Sequence, residues 1–134
     1  LDTPRRCQLP RPLWISVYDS ANVGPAELAS GLASWLPADV GVFFQDGVGV
    51  HAREAGVARH YANTLAARLG RDRVRIIAEA FRPKPGGGFR AATVDELAPQ
   101  LATYDGYQIY LFEWRYVPET TVQGLSVLQK PPTP

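Results

Sequence analysis

Four β-rich runs, with a stretch of helical period between each pair, recur roughly every 30 residues, the spacing of β-α-β crossovers and therefore of a parallel sheet. The runs occupy residues 13–18, 40–45, 74–79 and 107–112. Stretches such as VGVFF (41–44 with Val40) and IYLF (109–112) are apolar almost throughout. That pattern predicts strands covered on both faces. Between the runs lie helix signals. Gly24-Pro25 puts proline at a first helical turn, Leu28, Leu32, Trp35 and Leu36 fall on one face, and Pro37 ends the helix. A second helix is predicted over about 53–69, with Ala58, Tyr61, Leu65 and Leu69 in register and Gly70 as its left-handed cap. Thr93 and Glu96 have capping-box spacing for a third helix, whose apolar stripe is Leu97, Leu101 and Tyr104. Pro99 inside it predicts a kink or a shortened helix.

These signals give an α/β fold of four consecutive βα units over residues 13–117. Residues 1–12 read as an extended N-terminal arm and 118–134 as a C-terminal extension with a Pro-rich tail expected to be disordered. Residues 81–92 read as a long loop, suited to a lid or a docking element, and 121–128 as a short strand. At 134 residues the chain is long enough for one domain to bury a core without covalent staples.

Composition narrows the functional classes. A formal net charge of +1 leaves no electrostatic footprint for nucleic acid or an anionic membrane. No apolar run is long enough to span a bilayer. The chain holds no methionine, so Leu1 reads as the start of a mature exported chain or of an excised piece. Arg outnumbers Lys 12 to 2, which points to a GC-rich bacterial source, and the expected location is extracytoplasmic, periplasmic or secreted. Cys7, the single cysteine, excludes an internal disulfide and reads as a free thiol or a link to another chain.

The chemistry-bearing residues gather where each strand ends. In parallel α/β folds ligands bind at the carboxyl ends of the strands, and those ends carry Asp19, Asp46, Glu79 and Glu113. Side chains two apart share a face, so each acid continues an apolar row: Val17 to Asp19, Phe44 to Asp46, Ile77 to Glu79, Leu111 to Glu113. This predicts one acidic rim. A pair of carboxyl groups about 5–10 Å apart cleaves glycosidic bonds, and an oxygen-rich cluster suits calcium or magnesium. Asp-Ser and Asp-Gly are also ordinary turn starters. Glu79, between two alanines in an apolar strand, carries the stronger signal because a buried charge is costly unless used or paired.

Tyr18, Phe81, Trp114 and Tyr116 crowd the same rim as stacking rings or as core and interface anchors. His51 is an acid–base candidate near Asp46, and His60 reads as a surface residue of the second helix. Three cations between 82 and 90 (Arg82, Lys84, Arg90) with Gly86, Gly87 and Gly88 could hold an anion, but without a phosphate-loop or dinucleotide fingerprint. No Cys/His spacing suggests zinc, no nucleophile elbow is present, and no cofactor is implied.

The segments VYDS (17–20), FFQDG (43–47), IIAEAF (76–81) and YLFEW (110–114) resemble strands of a glycoside-hydrolase-type (β/α)8 barrel of a bacterial extracytoplasmic protein, each ending in an acidic or aromatic residue. The likeness covers about 13–117 and is to an architecture rather than a diagnostic motif. It implies a half-TIM-barrel-like parallel sheet, the alternative being an open flavodoxin-like one. It also implies Glu79 and Glu113 as catalytic carboxylates, with Asp19, Asp46, Tyr18, Trp114, Tyr116 and His51 contacting a saccharide. A closed barrel of this kind needs eight strands, and four or five are here. Catalysis is therefore an open question. Two expectations follow: a carbohydrate-active or saccharide-binding domain, catalytically degenerate in one version, or a non-catalytic accessory subunit of a cell-envelope or surface assembly. Either another copy or another subunit completes the sheet, giving a homo- or hetero-oligomer, or the sheet stays open.

Overall fold

The computed structural model describes residues 12–18, 23–112, 115, 117 and 119–128. In chain order the elements are β1 (Leu13–Tyr18), α1 (Pro25–Trp35), β2 (Val40–Gln45), α2 (Ala55–Leu69), a one-turn 3-10 helix (Arg71–Arg73), β3 (Val74–Glu79), β4 (Phe81–Pro83), β5 (Phe89–Ala91), α3 (Val94–Thr103), β6 (Ile109–Phe112) and α4 (Glu119–Leu128). The fold is α/β. Its main sheet is parallel throughout, in the order β1-β2-β3-β6.

That order is sequential. Among the described residues it lacks the reversal point of a doubly wound, flavodoxin-like sheet and has the winding of successive barrel strands. Crossovers of one hand that always step in one direction lay their helices on one side. The burial pattern agrees. Val17, Val40, Val42, Phe44, Val74, Ile76 and Ala78 are buried in one core with Ala29 and Leu32 of α1 and Ala58, Ala62, Leu65 and Leu69 of α2. Their alternates Trp14, Ser16, Tyr18, Phe43, Arg75, Ile77 and Tyr110 are half-buried or exposed. Strands expected to be covered on both faces are thus covered on one among the described residues. The apolar runs misled because aromatic rings fill the open side.

Local signals act largely as written. Pro25 stands in the first turn of α1, and the Leu36 N–H bonds to the Leu32 carbonyl before Pro37 stops the helix. Gly70 ends α2 at φ 102°, a conformation that costs a residue with a Cβ. Thr93 and Glu96 form the full capping box of α3. Pro99 sits inside that helix without ending it. Trp35, placed by periodicity on the buried stripe of α1, is 63% exposed, and Ala29 is buried instead.

Two elements differ from expectation. Residues 81–92 hold an antiparallel hairpin, β4–β5, rather than a bare loop. Its turn closes through Lys84 N–H to Gly88 O at 2.9 Å, with Gly86, Gly87 and Gly88 all at positive φ. Residues 119–128 form a helix, not a strand. Gln123 Nε2 donates to Glu119 one turn back, and Thr121 is buried. The β-branched residues there favoured a strand by propensity alone, and packing overrides that preference.

Candidate functional site at the carboxyl edge of the sheet

Glu79 is the last residue of β3 and lies in the row of Arg75 and Ile77, on the face opposite the helices. Asp46 directly follows β2 and continues the row of Val42 and Phe44, on the helix side. The register sets this: Phe44 is opposite Ile76 and Gln45 opposite Ile77. Alternation within each strand holds as expected, but the two acidic rows emerge on opposite faces. They meet because both strands end together: the Glu79 N–H donates to Asp46 Oδ1 at 3.1 Å.

Glu79 is fully buried. Its Oε1 accepts from Gln45 Nε2 at 2.6 Å, and its Oε2 accepts from the N–H groups of Gly49 and Val50, both at 2.7 Å. The loop over it is tightly built. Gly47 has φ 69° and Ala52 has φ 48°. A Cβ on Gly49 would stand 2.6 Å from the Phe81 ring and 2.7 Å from its carbonyl, so only glycine lets the loop close on the carboxylate. The His51 N–H then donates to Gly47 O at 3.0 Å.

Asp46, also fully buried, accepts from Val48 N–H (3.2 Å), Glu79 N–H (3.1 Å), Gln100 Nε2 (2.6 Å) and the Tyr104 hydroxyl (2.8 Å). Burial pushes its pKa above the usual aspartate value, against the opposing pull of these donors. Burial and the neighbouring Asp46 raise Tyr104 in turn, so its phenol stays protonated as a donor. Arg82 completes the network. It donates to Gln100 Oε1 at 2.6 Å and to the carbonyls of Phe81 (2.8 Å), Glu79 (3.2 Å) and Glu96 (3.3 Å). Among the described residues no buried side-chain nitrogen or oxygen lacks a partner. Carboxylates held this way position a loop and a helix, and their oxygens are already engaged.

Among the described residues the rim exposes a phenol–imidazole pair. Tyr18 OH and His51 Nε2 are 2.5 Å apart, with ring centroids 5.2 Å apart. If the phenol donates, Nε2 accepts and the imidazole proton sits on Nδ1. Asp19, Glu113, Trp114 and Tyr116 lie outside the described residues. Of the cations between 82 and 90, Arg82 is turned inward and Arg90 makes a two-pronged pair with Glu96 at 2.7 and 2.8 Å. Phe81 is buried rather than presented. Among the described residues no group of three or more His, Cys, Asp or Glu could hold a metal ion.

A second feature was not read from the sequence. Trp14, Phe43 and Tyr110 form an aromatic row on the open face, with centroids 5.1 Å apart at each step. Arg75 lies across it, its guanidinium carbon 3.8 Å from the Trp14 ring centroid and its Nη1 donating to Tyr110 OH at 3.1 Å. Gly41 makes room for the indole, since a Cβ there would fall 2.3 Å from the Trp14 ring. The signal was present in the alternate positions of the strands, which carry Trp, Phe, Arg and Tyr rather than aliphatic residues.

No protein-family model, no curated protein and no solved structure matches this chain.

Proposed function

We propose that this is a saccharide-binding domain of glycoside-hydrolase-like design that does not use Glu79 or Asp46 for catalysis. The observation that carries it is a division of labour. The described strand-end carboxylates are buried and saturated by donors, whereas the accessible aromatic surface lies on the open sheet face and at the Tyr18–His51 rim. General acid–base work requires a group within reach of the substrate proton, and neither carboxylate offers that. The exposed Tyr110 ring suits the apolar face of a sugar, Trp14 holds Arg75 beside it, and Arg75 and the Tyr110 hydroxyl supply donors for the sugar oxygens.

The test is titration of a panel of neutral and acidic sugars, followed by tryptophan fluorescence and by amide shifts. Trp14→Ala or Tyr110→Ala is expected to weaken binding about tenfold, the equivalent of one lost aromatic contact. Should every sugar leave the spectra unchanged, or should both variants bind as the parent does, the reading is lost. Hydrolysis of any glycoside that disappears in Glu79→Gln while the fold survives would restore a catalytic role.

A second reading rests on the same open face and on the edges of the sheet. Among the described residues the outer edges of β1 and β6 have no strand partner, and unpaired parallel edges invite association. An accessory subunit of an envelope assembly uses these surfaces against another chain. It predicts a stable complex well above 14.7 kDa in sizing experiments, where the saccharide reading predicts the monomer.

A further inference from the structure

At the amino end of β3 and β6, away from the rim, a cavity of about 320 Å³ opens beside Arg71, Asp72, Arg75, Tyr107 and Gln108. Arg75 lines this cavity and also packs on the aromatic row, so it is the residue the two share. We propose that the cavity receives the carboxylate of an acidic saccharide whose ring lies against the Trp14–Phe43–Tyr110 face, an inference that rests on the saccharide-binding reading and names its ligand class.

The two guanidinium groups are held in place before any ligand arrives. Arg71 stacks over the Tyr107 ring at 3.4 Å and donates through Nη2 to Gly106 O at 2.7 Å. Arg75 is fixed between the Trp14 ring and the Tyr110 hydroxyl. A guanidinium carries five N–H donors in a rigid fork, and the bonds just named use one from each. Among the described residues the remainder have no hydrogen-bond acceptor. Fixed, donor-rich forks suit a planar carboxylate, and prior immobilisation lowers the entropy lost on binding. Charge favours a monoanion: two guanidinium groups against the single carboxylate of Asp72 leave one positive charge. Asp72 and Gln108 can accept from or donate to the hydroxyls of the same sugar. A neutral sugar would leave the forks unanswered.

The experiment measures binding of three matched pairs to the intact chain by amide shifts: glucuronate and glucose, galacturonate and galactose, mannuronate and mannose. Acetate and inorganic phosphate are run as ring-free anions. At least one acid is expected to bind tenfold or more tighter than its neutral partner, moving the Gly106 and Gln108 signals, with the advantage shrinking as salt rises. Arg71→Gln, which lies off the aromatic row, should erase that advantage and leave neutral binding in place. Arg75→Gln should weaken both. Equal binding within every pair overturns this inference and leaves the saccharide reading standing. Acetate or phosphate binding as tightly as the best uronate overturns it in favour of a plain anion site. Absence of binding by all six sugars overturns both.

Discussion

Glu79 shows how a buried acid can be spent on architecture. Removing its side chain would strand the N–H groups of Gly49 and Val50 under the loop, each costing about 1–3 kcal/mol when buried without a partner. Glu79→Ala is therefore expected to cost about 3 kcal/mol. Glu79→Gln, which keeps one oxygen for the two N–H groups, should cost about 1 kcal/mol, provided Gln45 turns its amide to accept. Urea midpoints measure both, and an alanine variant as stable as the parent refutes the clamp. Asp46 adds a pH signature. Its folded pKa lies above the ordinary 3.8, so its contribution is complete below that value and is lost as pH rises through the raised one. The advantage of the parent over Asp46→Asn should shrink over the range above pH 3.8. An advantage that grows over that range contradicts the burial argument.

Among the elements, α3 has the opposite pH sign. Glu96 accepts from Arg90, caps Thr93, and is lowered to about 2, the Arg90 bond being the largest cause. Its contribution is complete above 4.5 and is lost as pH falls through about 2. Because Glu96 is only half-buried and its partner Arg90 is exposed, screening discounts that shift. Glu96→Ala is expected to cost about 1 kcal/mol at neutral pH, the scale of one cap. The penalty should shrink toward pH 2, as read from the urea midpoint at each pH. A penalty that persists undiminished at pH 2 assigns the effect to packing.

The same helix marks how far the sequence could be read. Its capping box, the Gly70 stop and the four strand positions were legible because each is a local signal. The β4–β5 hairpin was not, since three consecutive glycines report freedom and not the turn they adopt. Nor was α4, where propensity and packing disagree. For the site, the carboxyl-edge position of Asp46 and Glu79 could be inferred. Their opposite faces could not, because a register shift of one residue between β2 and β3 decides them. The donors from Gly49, Gln100 and Tyr104 come from distant segments that no spacing rule connects.

At the scale of the molecule, the consequence of winding in one direction is a sheet with unequal sides, and two consecutive residues of β2 can expose it. Phe44 is fully buried under the helices and stacks on Tyr61 with centroids 5.6 Å apart. Phe43 points the other way, half-buried, edge-on to Tyr110. Truncating a buried phenylalanine typically costs about 3–5 kcal/mol, because transfer and cavity terms add. A ring lying on an uncovered face loses only part of its transfer term and one aromatic contact, about 1 kcal/mol. Phe44→Ala should therefore destabilise the isolated chain severely and Phe43→Ala mildly, by urea unfolding of the monomer. If a ligand or a partner occupies the open face, the order changes in its presence: Phe43→Ala then forfeits the stabilisation that binding adds to the parent, while the cost of Phe44→Ala stays fixed. Equal penalties without any ligand would mean that both faces are already covered, and the aromatic row would then be core.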